Sequence, residues 1–102
     1  EFDIRMKTQA PESMTLATHC EWPCVGELQI NRVLPAPSAQ WTTIKVPVQC
    51  FEQAGMSFQR MSTPFLMFSE QSVEFDLGRV RIVPNPSGTP QDAVDCSEVL
   101  DN

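Results

Sequence analysis

Residues 41–83 read WTTIKVPVQCFEQAGMSFQRMSTPFLMFSEQSVEFDLGRVRIV, three β-rich runs separated by short polar breaks. In the first run, Ile44, Val46, Val48 and Cys50 alternate with Thr43, Lys45, Pro47 and Gln49. A period of two marks a strand with one buried face, so Ile44, Val46, Val48 and Cys50 are expected to face a core. In the third run, Val73, Phe75 and Leu77 alternate with Glu74 and Asp76, and beyond Gly78 Val80 and Ile82 alternate with Arg79 and Arg81. Between these runs, residues 51–55 read as a short helical turn closed by Gly55. Residues 62–69 read as a strand, with Pro64 near its start, where a missing N–H does least harm. Short strands of this kind build an antiparallel β-sandwich, and a sandwich displays its site on a face or a rim.

Upstream, Phe2, Ile4 and Met6 alternate with Asp3, Arg5 and Lys7, which predicts another strand. Residues 13–19 predict one more, with Met14 and Leu16 on one side and Thr15 and Ala17 on the other. Residues 27–30 predict a short strand, and residues 31–34 a helical turn that Pro35 and Pro37 stop. Downstream, Pro84, Pro86, Ser87, Gly88 and Pro90 mark a linker or irregular stretch. The expected organisation is one sandwich domain over residues 1–83 and an irregular tail over residues 84–102.

A chain of 102 residues has room for one domain. Its net charge of −6 sets it against nucleic acid and anionic membranes, whose phosphates would repel it. No apolar run approaches the roughly 20 residues that span a bilayer. No signal peptide is visible, so an export signal is expected to have been removed or to belong to a longer precursor.

The four cysteines are Cys20, Cys24, Cys50 and Cys96. An even count in a small exported chain favours disulfides and an oxidising compartment, the periplasm or the cell exterior. A zinc site would want two close pairs, or cysteines with histidines. Here there is one close pair, two distant cysteines and a neighbouring His19. A redox dithiol would want two intervening residues at a helix start, whereas Glu21-Trp22-Pro23 supplies three and no helix signal. Cys20–Cys24 is therefore expected to staple a loop, and Cys50–Cys96 to anchor the tail. Closing a loop of that length contributes about 4 kcal/mol in the chain-entropy model. No metal or cofactor is expected.

Catalytic motifs fit poorly. A retaining glycosidase needs two carboxylates about 5 Å apart, one of them with a raised pKa. Glu74 and Asp76 lie on one strand face at a compatible spacing, but they read more simply as a solvated polar edge. His19, the only histidine, abuts a stapled loop, and no nucleophile elbow or glycine-rich phosphate loop is present.

Binding is the better-supported class. Sugar rings stack on aromatic faces, while amide, carboxylate and basic side chains bond the hydroxyls. Strand parity sets Trp41, Thr43, Lys45 and Gln49 opposite the expected core face, with Arg5, Lys7, Glu74 and Asp76 also on non-core parity. If these strands share a sheet, they form a polar face with an indole at its end. Trp22, inside the stapled loop, is the second candidate platform. The carbohydrate-binding candidates are thus Trp22, Trp41, Lys45, Gln49, Glu74 and Asp76. Both indoles also have a packing reading: Trp41 as a cover for the sheet end, Trp22 as a plug in the core. A third class is structural. Apolar residues on both parities of Phe65-Leu66-Met67-Phe68 exceed what one core face needs, so some are expected to meet a partner domain.

One family shares this pattern. The run Trp41-x-x-x-Lys45-Val46-Pro47-Val48-x-Cys50-Phe51-x-x-x-Gly55, then Thr63-Pro64-Phe65-Leu66, then Val73-x-Phe75-x-Leu77-x-x-Val80-x-Ile82, resembles the C-terminal accessory domain of bacterial family-three glycoside hydrolases, the exo-acting β-glucosidases or 1,4-β-D-glucan glucohydrolases. Met14–Cys24 and Glu27-Leu28-x-Ile30 resemble it too, so the match covers most of residues 2–83. The resemblance implies an all-β, galactose-binding-like jelly roll and favours the packing reading of Trp41. Domains of that family carry extra strands before the equivalent of Asp3, so this chain is expected to begin inside the sandwich. The family's catalytic barrel and carboxylate-bearing domains have no counterpart here, and its hydrolase activity does not transfer. The implied partners are a β-glucan or oligosaccharide, and a catalytic domain or a preceding segment of the same protein. An open strand edge would also favour self-association.

Overall fold

A computed structural model describes residues 1–21, 23–83 and 93–100. Two three-stranded antiparallel sheets face each other across one core. The first has the order β4-β1-β6, built from β1 (Phe2–Met6), β4 (Thr42–Ile44) and β6 (Phe75–Gly78). The second has the order β3-β2-β5, built from β2 (Thr15–Cys20), β3 (Val25–Gln29) and β5 (Met61–Phe68). The alternation in β1 is realised as read: Phe2, Ile4 and Met6 are buried, while Asp3 and Arg5 lie between them on the outer face. Opposite them, Met14, Leu16, Leu28 and Ile30 complete the core. Phe65 of β5 meets Phe2 edge-on at 5.6 Å between ring centroids.

The expected strand through Cys50 is corrected. The ladder stops at Ile44, and Val48–Gln53 forms α1. Pro47 is the physical reason: it has no N–H for a sheet, but its fixed φ suits the residue before a helix. The turn moves Cys50 and Phe51 together into the core and leaves Val48 half exposed. Gly55, at φ +115°, closes the helix as expected. Residues 31–33 form the predicted helical turn.

The tail is more ordered than its composition suggested. Cys96–Val99 forms α2, and Asp95 and Glu98 make a reciprocal capping box at its start. Val99 is fully buried against the end of the core. Both disulfides form, with Cα separations of 5.0 Å for Cys20–Cys24 and 5.2 Å for Cys50–Cys96. The second ties α2 to α1. No helix among the described residues is long and apolar enough to cross a membrane.

Beyond β6 the chain keeps its place beside β1 through a bulge. Asp3 faces Gly78, yet Glu1 exchanges backbone bonds with Arg81, at 2.7 and 2.9 Å. β1 advances two residues where its neighbour advances three, so one residue is extra. Arg79 absorbs it at φ +45°, a left-handed conformation rare outside glycine and asparagine.

Candidate functional site

The outer face of the first sheet gathers most of the polar residues expected there. Register sets Asp3 between Thr43 and Gly78, and Arg5 beside Asp76, with Trp41 just before β4. The Trp41 indole reaches across β1. The Arg5 guanidinium carbon sits 4.7 Å from its ring centroid. The far edge of the ring lies over Gly78, where an added Cβ would stand 3.4 Å from Cζ3. The ring therefore lies in close contact over the bare backbone of Gly78, with room for no more than about a methyl group beneath it. Trp41 keeps 49% of its surface exposed, so it is supported from beneath while much of the ring stays open.

Charge around the indole is paired. Arg5 donates through Nε and Nη2 to one Asp76 oxygen at 3.0 and 2.6 Å, and Lys7 lies 3.4 Å from the other. The Arg5 bonds, helped by Lys7, hold the Asp76 carboxyl below the usual carboxylate range. Asp3 accepts from Thr43 at 2.8 Å and from Arg79 at 3.0 Å, and Arg81 bridges Asp3 and Glu1. The Thr43 hydroxyl bond, with Arg81 and Arg79 behind it, outweighs partial desolvation and depresses Asp3 as well. Depressed carboxylates remain ionised acceptors and are the opposite of a general acid.

Of the sequence candidates, Trp41, Glu74 and Asp76 share this face. Glu74 lies at its margin, where its carbonyl accepts from the Lys7 and Thr8 amides. Lys45 follows β4 and Gln49 sits on α1, both off the sheet. Trp22 lies outside the described residues. Sequence reasoning noted the parity of Arg5 but did not name it as a site residue. It missed Gly78 altogether, whose only signal is a gap in the alternation of β6.

The second sheet presents a different surface. Leu66 and Phe68 of β5 are 38% and 44% exposed on its outer face. With His19 and Glu27 they line a shallow groove of about 430 Å³ beside the Cys20–Cys24 loop. No group of three or more His, Cys, Asp or Glu side chains among the described residues is arranged to hold a metal ion.

A two-sheet antiparallel sandwich with a polar face is the architecture that the sequence pattern implied. The sequence model of the family described as galactose-binding domain-like, Exop_C, matches residues 1–82. The chain belongs to that family. The match bears out both the resemblance to the exo-glucosidase C-terminal domain and the all-β sandwich class. No match was found among curated proteins or among solved structures. Membership makes this galactose-binding-like domain a carbohydrate-binding or accessory module, a class that is typically non-catalytic. Its two disulfides are compatible with an extracellular or periplasmic location.

Proposed function

We propose that this galactose-binding-like domain is a non-catalytic module of a glucan-degrading glycoside hydrolase, and that it binds a β-glucan chain weakly on the Trp41 face. One observation carries the reading: an indole half exposed above the sheet, backed by Arg5 and by the bare backbone of Gly78. A stacked pyranose gains most from a ring that is already immobilised, because little side-chain entropy remains to be lost. The paired charges beside it supply donors and acceptors for hydroxyls.

A single platform limits affinity to roughly the millimolar-to-micromolar range, about −4 to −8 kcal/mol. Calorimetric titration with cello- and laminari-oligosaccharides checks this on the wild type and on Trp41→Ala, Trp22→Ala and Gln49→Ala. Loss of binding in Trp41→Ala, with the fold intact by circular dichroism, is the expected result. Loss only in Trp22→Ala would move the site to the stapled loop. Absence of wild-type binding at millimolar sugar would leave a structural role, docking against a catalytic domain, which the exposed Leu66 and Phe68 favour.

A further inference from the structure

The segment Val73-Glu-Phe-Asp-Leu-Gly-Arg-Val-Arg-Ile82 is nearly its own complement when read against a reversed copy of itself. Set Leu77 opposite the Leu77 of a second copy and count Arg79 as the extra residue of its strand. Glu74 then faces Arg81, Phe75 faces Val80 and Val73 faces Ile82, while Asp76 faces Gly78 with Arg79 beside it. Acid meets base at Glu74 and beside Asp76, and apolar meets apolar at the other positions. A two-fold axis through the Leu77 pair makes every other pair occur twice, the requirement of an isologous interface.

Among the described residues β6 is an edge strand of the β4-β1-β6 sheet, and no described strand pairs with its outer side. Its backbone phase also fits. The Lys7 amide donates to the Glu74 carbonyl, so Glu74, Asp76 and Gly78 turn their backbone groups toward β1. Phe75 and Leu77 turn theirs outward. Past the bulge, Arg81 bonds Glu1 in both directions, so Val80 turns outward as well. A regular strand would have pointed Val80 back toward β1, and Phe75 could not have paired with it. The extra residue at Arg79 corrects that mismatch of phase.

The side chains support the same register. Leu77 shares the inward parity of Ile4 yet is 41% exposed, and Val80 and Ile82 are 47% and 73% exposed. The Glu74 side chain is exposed and has no partner among the described residues, and the Arg79 side chain is 75% exposed despite its bond to Asp3. We infer that two copies of this chain pair antiparallel through β6 into one continuous six-stranded sheet. The dimer places the two Trp41 rings, each lying over its own Gly78, on one face on either side of the axis. That last consequence concerns sugar binding and rests on the reading above. The pairing itself does not.

Sedimentation equilibrium tests the pairing on the full chain without sugar. The weight-average mass should rise toward twice the monomer value across the micromolar range. Glu74→Arg, which disturbs no side-chain contact within the monomer, should weaken the dimer about tenfold, since facing charge pairs change from attraction to repulsion twice over. Arg81→Glu should do the same. An equimolar mixture of the two variants should regain wild-type association, because each restores the pair that the other breaks. Should Arg81→Glu lose its fold by circular dichroism, weaker association of Glu74→Arg at low salt than at high salt replaces that arm. A wild type that stays monomeric overturns the inference, as does a dimer indifferent to Glu74→Arg or one that the mixture fails to restore. A monomer that instead captures an added extended peptide along β6 also overturns the second-copy assignment.

Discussion

Thr18 is the residue at which local cost is clearest. It lies in the central strand β2, is 4% exposed, and its hydroxyl has no hydrogen-bond partner among the described residues. A buried hydroxyl without a partner costs about 1–3 kcal/mol relative to one that keeps its bonds to water. Valine keeps the branched shape that suits a strand and removes the oxygen. Thr18→Val should therefore raise the free energy of unfolding by about 1 kcal/mol, read from urea titration followed by circular dichroism. A loss of stability would reveal a partner that the hydroxyl does satisfy. Gly26 shows the opposite constraint. A Cβ there would come within 2.8 Å of Met56 Cβ and the Phe51 carbonyl, so α1 packs against β3 only because that side chain is missing.

At the scale of elements, the two disulfides do unequal work. Cys20–Cys24 spans 4 positions and tightens a loop already held by the bond from the Cys20 amide to the Cys24 carbonyl. Cys50–Cys96 spans 46 positions and joins two short helices, neither long enough to persist alone. In the chain-entropy model the short loop contributes about 2 kcal/mol and the long one about 4 kcal/mol. Replacing Cys50 and Cys96 together by alanine should thus cost about twice as much in urea denaturation as replacing Cys20 and Cys24. The long-loop variant should also expose the backbone amides of α2 to hydrogen exchange, because Val99 loses its anchor. Equal costs would mean that packing of α2, rather than the covalent tie, holds the sandwich closed.

For the whole molecule, the depressed carboxylates set the acid limit. Asp3, Asp76 and Asp95 all titrate below their ordinary value: Asp3 through Thr43 and its arginines, Asp76 through Arg5 and Lys7, Asp95 through its bonds from Ser97. A carboxylate depressed on folding stabilises the native state above its unfolded value, near 4, and loses that contribution as pH falls through the folded value. The melting temperature should be flat from about pH 7 to pH 5 and fall below about pH 4. Because these groups are solvent-accessible, added salt should flatten the acid limb. A melting temperature that rises on acidification would contradict the pairing around Arg5 and Asp3.

The chain's own pattern determined its class. Period-two alternation in β1 names the buried face without knowledge of the partner strand, because the pleat alone fixes which side each residue takes, whereas in β6 Leu77 has the core parity and stays exposed. Cysteine spacing gave the staple, and the Asp95-x-x-Glu98 pair carried an unread helix signal. Alternation could not tell strand from helix at Val48–Gln53, where burying Cys50 and Phe51 side by side required a turn of helix. It could not bring Lys45 or Gln49 onto the sheet, and it could not say that Trp41 would rest on Gly78. That contact joins β4 to β6 across β1, so it exists only once three segments distant in sequence are in register. Residues 41 and 78 have nothing in their local patterns to link them. The site is a property of the pairing, and the pairing is set by the core that all the strands bury together.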